Sequence, residues 1–537
     1  MSSEGLPLDR VVANARRQSL SAVLRRSCAR HGGQTAIMCG ETRWTYSQFD
    51  SVVDLLAAGL KRSGIKPGDR IAVLARNSHA FIALRFAIAR ADAVIVPINF
   101  MLNVEDVRYI LAHSGARYLF ADRSTIDVAA AAAQHGIEQL FGIPGENDPP
   151  PEGVPSWDAL RLDDGPQAET RGGDDLLQII YTSGTESRPK GAMLSHNSVV
   201  WEYQSCIIDC EWTAAAVALH AMPMFHCAQL DGMIGPALQV GATNVITSAT
   251  APDDLISMLG RFQATSFFAP PTVWIALLRS PALPDHDLTS LTKGYYGAAT
   301  MPVEVLRELQ ERLPALRLWN LYGQTEIAPV ATILFPEEHR ARLGSAGRPT
   351  LHVETRVVDD DMIDVAPGQV GEIVHRSPQL LTGYWNDPDK TAEAFAGGWF
   401  HSGDLGVLDE SGYLTIVDRK KDMIKSGGEN VASREVEEVL YLHPAVSEAA
   451  VIGVPDPKWI EAVTAVIVLR DGESATEEEI VDHCLAHLSR FKSPKKIHFR
   501  DTLPRNASGK ILKRELRQVL LDTADAGSSR DAATSQA

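Results

Sequence analysis

Cysteine is scarce in this chain: six in 537 residues, at positions 28, 39, 206, 210, 227 and 484. None stands in a CxxC pair. Cys206 and Cys210 lie four apart with no second pair at zinc spacing, which argues against both a zinc ribbon and a disulfide-stapled secreted module. Reduced thiols in a cytoplasmic protein are the expectation. Long hydrophobic runs are missing too: no uncharged apolar stretch approaches the ~18 residues of a membrane span. The N-terminal MSSEGLPLDRVVANARRQSL has no apolar core of a signal peptide. Positive charge is in deficit, with 51 Lys and Arg against 68 Asp and Glu and a net charge of −17. That balance argues against nucleic acid as a main partner. The pattern GxxxxGK[ST] is absent, so a phosphate site here is not a Walker A loop. No internal repeat is present.

What remains is ordinary globular composition, 45% apolar and 22% charged, on a chain too long for one core. Up to about residue 410, short apolar runs alternate with helix-like stretches, the pattern of parallel α/β architecture. RIAVLA at 70–75, AVIVPI at 93–98, LLQIIY at 176–181, TNVITS at 243–248 and SFFAPP at 266–271 read as strands. The apolar spacing predicts helices over 80–92 and 300–312. Residues 144–175, with several Pro, Gly and Asp, read as a surface connection. After 410 the texture changes to a compact set of strands and helices such as EAAVIGV, AVTAVIVLR and EEEIVDHCLAHL. The expected layout is a large domain over 1–417, a smaller α+β domain over 418–521 and a small, polar, disordered tail over 522–537.

Two stretches carry charge with a message. Between Arg490 and Arg517 there are ten Lys and Arg against two acidic residues, a solvated face or a strip that approaches a bound polyanion. ARRQSLSAVLRRSCAR near the N-terminus is basic and amphipathic, which keeps peripheral membrane contact open beside a plain solvated helix face.

Residues 181–191, YTSGTESRPKG, follow the strand LLQIIY with a turn of hydroxyls, glycine and lysine. Backbone N–H groups in such a turn form a nest for phosphate oxygens, and Thr182, Ser183, Thr185 and Lys190 add donors and charge. This loop resembles the phosphate loop of the adenylate-forming superfamily: acyl-CoA synthetases, aryl-CoA ligases, luciferases and peptide-synthetase adenylation domains. Further stretches resemble that family's motifs in order: MPMFH at 222–226, GYYGAAT at 294–300, WNLYGQTE at 319–326, GWFHSGD at 398–404, YLTIVDRKKDMIKSGGEN at 413–430 and LPRNASGKILKREL at 503–516. The resemblance covers about residues 20 to 518. It implies a large domain of stacked mixed sheets with flanking helices and a mobile C-terminal domain.

The resemblance also implies a site. Thr182, Ser183, Gly184, Thr185 and Lys190 would hold the phosphates of ATP. Gly297 and Ala298 would let backbone approach the ligand at a strand end. In the stretch Asn320, Tyr322, Gly323, Gln324, Thr325 and Glu326, Tyr322 offers an aromatic face for adenine and Thr325 a hydroxyl for the α-phosphate. Glu326, with Thr182, would hold Mg²⁺, which takes few protein carboxylates when phosphates share it. Asp404 would accept the ribose hydroxyls, and Arg419 would make a second ribose or phosphate contact. His226 would line or gate the acyl channel, with Cys227 beside it as packing. Gly427 and Gly428 would let the pantetheine arm of CoA pass. Lys510 would bridge the substrate carboxylate and the α-phosphate in the transition state.

The implied reaction is ATP-dependent activation of a carboxylic acid as acyl-adenylate, followed by thioester formation with CoA, the small domain turning about Asp418 between the steps. The motifs most resemble those of bacterial fatty-acyl-CoA synthetases, so a medium or long fatty acid is the first expectation. Gln229 and Asp231 sit where a lipid tunnel would call for smaller or apolar residues, which leaves short-chain and aryl acids open. An acyl-carrier protein as acceptor, a non-catalytic nucleotide or acyl sensor, and a homodimer also stay open. One departure lies in the loop itself: Glu186 and Ser187 stand where most of the family has threonine and glycine. A carboxylate there would repel phosphate unless it turns outward, pairs with Arg188 or another cation, or helps to hold Mg²⁺, the first two being the favoured expectation.

Overall fold

The computed structural model describes residues 8–133, 136–165, 169–182, 188–297, 301–426, 429–505 and 511–521. The β-branched runs form the interiors of two large sheets. In one, Leu176–Thr182, Val94–Ile98, Arg70–Leu74, Ala116–Ala121 and Gln139–Gly142 run parallel, and Lys190–Ser195 and Gly383–Tyr384 extend the opposite edge antiparallel. Every residue of Val94–Ile98 is buried, as a parallel strand covered on both faces requires. In the other, nine strands are ordered Arg348–Pro349, Val330–Leu334, Arg317–Gly323, Lys293–Gly297, Ser266–Phe268, Val217–His220, Thr243–Ile246, Thr35–Cys39 and Thr42–Thr45, parallel through the centre and antiparallel at both edges.

The helix His79–Arg90 is buried along its whole length. A helix apolar on all sides must be enclosed, and its Phe81, Leu84, Phe86 and Ile88 belong to the largest core cluster, with residues of both sheets. It also carries two fully buried arginines, Arg85 and Arg90. The five strands expected at 70–75, 93–98, 176–181, 243–248 and 266–271 all form, as do helices His79–Arg90 and Val303–Arg312. The connection over 144–175 is more than a surface strap. Trp157 and Leu160 are buried, and Glu146 accepts hydrogen bonds from the Thr247 and Ser248 hydroxyls and the Ser248 N–H.

A four-stranded antiparallel sheet, Glu354–Val358, Gly371–Arg376, Phe400–Leu408 and Leu414–Arg419, follows. Asp418 is therefore the second-last residue of a strand. Beyond it lies a unit with its own core: Ile424, Val436, Leu440, Val451, Val463, Ile480 and Cys484 pack together under the long hairpin Val446–Asp456 and Ile460–Leu469.

The basic N-terminal segment forms helix Leu20–His31, capped by the Ser19 hydroxyl. Its Leu20 and Leu24 are in the main core, and Arg25 pairs with Glu169 at 3.0 Å. The apolar side of this helix is thus packed within the protein. Among the described residues no helix is long and apolar enough to cross a membrane.

Candidate active site

Strand register builds the neck of the phosphate loop. Thr182 and Lys190 are direct partners across the antiparallel pair, at the two ends of the stretch expected to hold phosphate. Ser183, Gly184, Thr185 and Glu186 lie outside the described residues. Arg188 stacks on the Tyr109 ring at 5.3 Å. The Lys190 ammonium lies 5.9 Å from the centre of the Tyr384 ring, whose hydroxyl donates to Glu326 Oε1 at 3.0 Å. Tyr384 thus joins the phosphate-loop lysine to the carboxylate expected to serve the metal.

Strand Arg317–Gly323 delivers the YGQTE motif to the same place. Gly323 admits no side chain, because a Cβ would lie 2.0 Å from the Pro329 carbonyl oxygen. The chain can therefore turn at once into the short helix Thr325–Ile327, which buries Thr325 and Glu326. Tyr322 donates its hydroxyl to Asp404 Oδ2 at 2.8 Å, and Asp404 Oδ1 pairs with Arg419 Nε at 3.1 Å. Asp404 and Arg419 are register partners on adjacent strands. The Asp404 carboxylate retains lone pairs for the hydroxyls of a ribose, and its bond to Tyr322 fixes the ring beside it. Asn320 donates its amide to the Ser345 carbonyl at 2.9 Å. At Gly297 the space of a side chain is filled by the neighbouring strand, with Leu321 O at 2.3 Å from a Cβ. A side chain there would not fit the strand packing, and Ala298 lies outside the described residues.

Two features test whether a nucleotide and a metal fit. Gln324 Nε2 is a buried donor without a partner among the described residues, and such a group calls for an acceptor that a nucleotide would bring. Burial raises the Glu326 carboxyl above the ordinary range, opposed by the Tyr384 hydrogen bond. A desolvated carboxylate held by neutral donors, the Tyr384 hydroxyl and a backbone N–H, suits a divalent cation, which would take its other ligands from phosphate and water. Among the described residues no group of three or more His, Cys, Asp or Glu forms a cage for a metal by itself. Removing the Tyr384 hydroxyl removes one of the influences that lower the Glu326 pKa, beside a backbone hydrogen bond and the charge of Arg419. Tyr384→Phe should therefore reduce kcat/KM for ATP about tenfold, the size of one hydrogen bond to a charged group. Because the carboxylate form is the active one, the acid limb of the pH profile should move to higher pH. An acid limb that stays in place would show that Glu326 is not the titrating group.

The acyl motif meets the nucleotide motif directly. His226 caps the short helix Cys227–Gln229, its Nδ1 accepting from the Ala228 N–H at 3.1 Å. Cys227 Sγ donates to Thr325 Oγ1 at 3.4 Å. The cysteine expected only to pack therefore touches the hydroxyl expected at the α-phosphate. Gln229 and Asp231 are both buried. The Asp231 carboxylate pairs with Arg85 and accepts from Gln178 Nε2 at 2.7 Å. Gln178 belongs to the strand that leads into the phosphate loop.

Asp418, the expected hinge, is tightly held. Its carboxylate accepts from the Ser433 N–H at 2.6 Å, the Ser433 hydroxyl at 2.7 Å and the Arg419 N–H at 2.8 Å. Lys513 donates to Ser433 Oγ at 2.6 Å and pairs with Glu437 at 2.8 Å. Much of the basic strip is likewise paired within its own unit: Lys492 with Glu435, Lys496 with Asp456 and Arg505 with Glu448. Gly427, Gly428 and Lys510 lie outside the described residues. Sequence reasoning missed Tyr384 and the Lys513–Ser433–Asp418 chain. The signal for the first was the GYW of LTGYWNDP, which only strand pairing ties to the site.

The sequence profile of AMP-binding enzymes matches residues 24–385, and that of the AMP-binding enzyme C-terminal domain matches 435–510. A feruloyl-CoA synthase of an Amycolatopsis species is 37% identical over 90% of this chain and 95% of its own. A long-chain-fatty-acid–CoA ligase of Mycobacterium tuberculosis, FadD13, is 37% identical over 89% of this chain and 93% of its own. The crystal structure of the anthranilate CoA ligase AuaEII with anthranoyl-AMP superposes with a TM-score of 0.87 at 26% identity, covering 97% of this chain and 99% of that one.

Proposed function

The chain belongs to the AMP-binding enzyme family, and on that premise we propose that it is an AMP-forming ligase joining an aromatic carboxylic acid to coenzyme A. The observation that carries the choice of acid is the wall of the acyl motif. Gln229 is buried one turn beyond His226, where an aliphatic chain would call for apolar side chains. The feruloyl and anthranilate ligases, each named for an aromatic acid, support it. A medium or long fatty acid is the second reading, favoured by FadD13 at equal identity.

ATP would lie with adenine against Tyr322, the ribose hydroxyls on Asp404 and the phosphates between Thr182 and Lys190. Magnesium held by Glu326 would supply charge neutralisation at the phosphates. The acid enters past His226. Its carboxylate oxygen attacks the α-phosphorus and the bond to pyrophosphate breaks, giving the acyl-adenylate. Thr325 would donate to an α-phosphate oxygen. Its hydroxyl proton is free for that task because its oxygen already accepts from Cys227. Lys510 would enter from the small domain to offset the approach of two anions. The small domain would then turn about Asp418, and the CoA thiolate would attack the acyl carbonyl and expel AMP. Protein catalysis here is positioning and electrostatics, with no covalent enzyme intermediate.

The test is pyrophosphate release with ATP and Mg²⁺ across benzoic, cinnamic and straight-chain acids, with and without CoA. The expected result is turnover with aromatic acids and AMP release dependent on CoA. Turnover confined to fatty acids would overturn the choice of acid and leave the ligase reading standing. AMP release that requires an acyl-carrier protein instead of CoA would overturn the acceptor.

A further inference from the structure

We infer that Asn77 is a positioning residue for the acid: its side-chain amide holds the Met222–His226 loop against both large sheets and so sets where the acid lies relative to Thr325. The inference rests on the ligase reading above, in which the acid enters past His226, and holds for an aromatic or an aliphatic acid alike. Asn77 belongs to no motif of the site and precedes Met222 by 145 residues.

Separate chain segments converge on this amide. Asn77 follows the strand Arg70–Leu74 of the seven-stranded sheet, while Met222 follows Val217–His220 and Thr247 follows Thr243–Ile246 of the nine-stranded one. Each position is just past the carboxyl end of a parallel strand, the edge at which α/β sheets bind their ligands. Asn77 Nδ2 donates to the Met222 carbonyl at 2.9 Å and to the Thr247 carbonyl at 3.0 Å. Its Oδ1 accepts from the Met224 N–H at 2.8 Å. Two carbonyls on one side and an N–H on the other fix which end of the amide is nitrogen. The side chain thus offers Met222 and Met224 the donor and acceptor that a neighbouring strand would offer, across Pro223, which has no N–H of its own. Among the described residues no other group bonds the Met222 carbonyl or the Met224 N–H.

The anchor is itself rigid. On one side of Asn77 the Arg76 N–H donates to Asp122 Oδ2 at 2.7 Å. On the other the Ser78 hydroxyl caps the wholly buried helix His79–Arg90. Asn77 is 4% exposed, so water does not compete for its bonds. The loop passes this placement onward. The His226 N–H donates to the Pro223 carbonyl at 3.2 Å, closing a turn on the residue that Asn77 straddles. Phe225 packs edge to face on Phe100 with ring centres 5.5 Å apart, and Cys227 reaches Thr325 at 3.4 Å. A shift at Met222–Met224 would therefore carry His226 with it and loosen the contact to Thr325. Asp404 and Glu326 are held by bonds that do not involve this loop, so the nucleotide groups should feel the shift much less.

The experiment measures the KM for the acid and the KM for ATP separately, by pyrophosphate release, in wild type, Asn77→Ser and Asn77→Asp. The acid is the one in the panel above that wild type turns over fastest. Asn77→Ser shortens the side chain and breaks its bonds to the loop. Asn77→Asp keeps the size and the acceptor for Met224 but turns a second oxygen toward two carbonyls. Each should raise the KM for the acid about tenfold, the scale of leaving a buried backbone group without its partner. The KM for ATP should change by less than about twofold. Loss of folded protein scales kcat and leaves KM unchanged, so either variant can be read from a partly folded preparation. A lower kcat at unchanged acid KM would mean that Asn77 only staples the two sheets and would overturn the inference. A parallel rise in both KM values would overturn it as well. Wild type that releases no pyrophosphate with any acid of the panel would overturn the ligase reading, and the inference with it.

Discussion

Asp231→Leu should lower the unfolding free energy of the large domain by about 3–5 kcal/mol, the cost of stranding a buried charge. Arg85 and Asp231 are both completely buried, and a guanidinium does not give up its proton. With Asp231 gone, Arg85 would remain charged and enclosed on the core helix, facing Gln178 and the Tyr203 hydroxyl. Neither neutral group replaces a carboxylate. The double substitution Arg85→Met with Asp231→Leu should recover most of the loss, since apolar groups of similar volume replace buried ion pairs at little net cost. Urea unfolding followed by tryptophan fluorescence reads both. A single substitution costing under about 1 kcal/mol would mean that water reaches Arg85.

Lys510→Ala should reduce pyrophosphate release by about a hundredfold to a thousandfold, the range for removing one preorganised donor from a developing charge. It should leave thioester formation from supplied acyl-adenylate nearly unchanged, because that step would proceed with the lysine withdrawn. The matched control is Lys513→Ala. Lys513 is bound to Glu437 and Ser433, so its loss should act on stability and on the hinge before it acts on the adenylation step. Equal loss of both half-reactions in Lys510→Ala would remove the lysine from the chemistry of the first step alone.

Elements and motifs that depend on neighbours in the chain are legible from the amino-acid order alone. LLQIIY is largely apolar because it is an interior strand, paired on both sides. YGQTE carries its ring, hydroxyl and carboxylate within five residues, so its chemistry survives without knowing what packs around it. The residues that escape such reading depend on partners distant in sequence. Tyr384 reaches Lys190 only because Gly383–Tyr384 pairs with Ala192 and Met193. Asp231 looks out of place in an acyl channel because Arg85 is 146 residues away. At Gly297 the space of the missing side chain is taken by the strand beside it, a neighbour that the order of residues does not reveal. The basic strip reads as one patch in sequence, yet in space its lysines and arginines turn to separate carboxylates.

The scarcity of cysteine has a practical side. All six thiols are free, five are buried and only Cys28 is partly open to solvent. A thiol-reactive chromophore added to the working enzyme would therefore register little besides Cys28 and whatever free coenzyme A is in the cuvette. Disappearance of coenzyme thiol could be followed continuously against an almost silent protein background, with Cys28→Ser to remove the remainder. Any slow rise in that background would report the large domain breathing open at Cys39, Cys206, Cys210 or Cys227, or the small one at Cys484, so a single trace would time both turnover and unfolding.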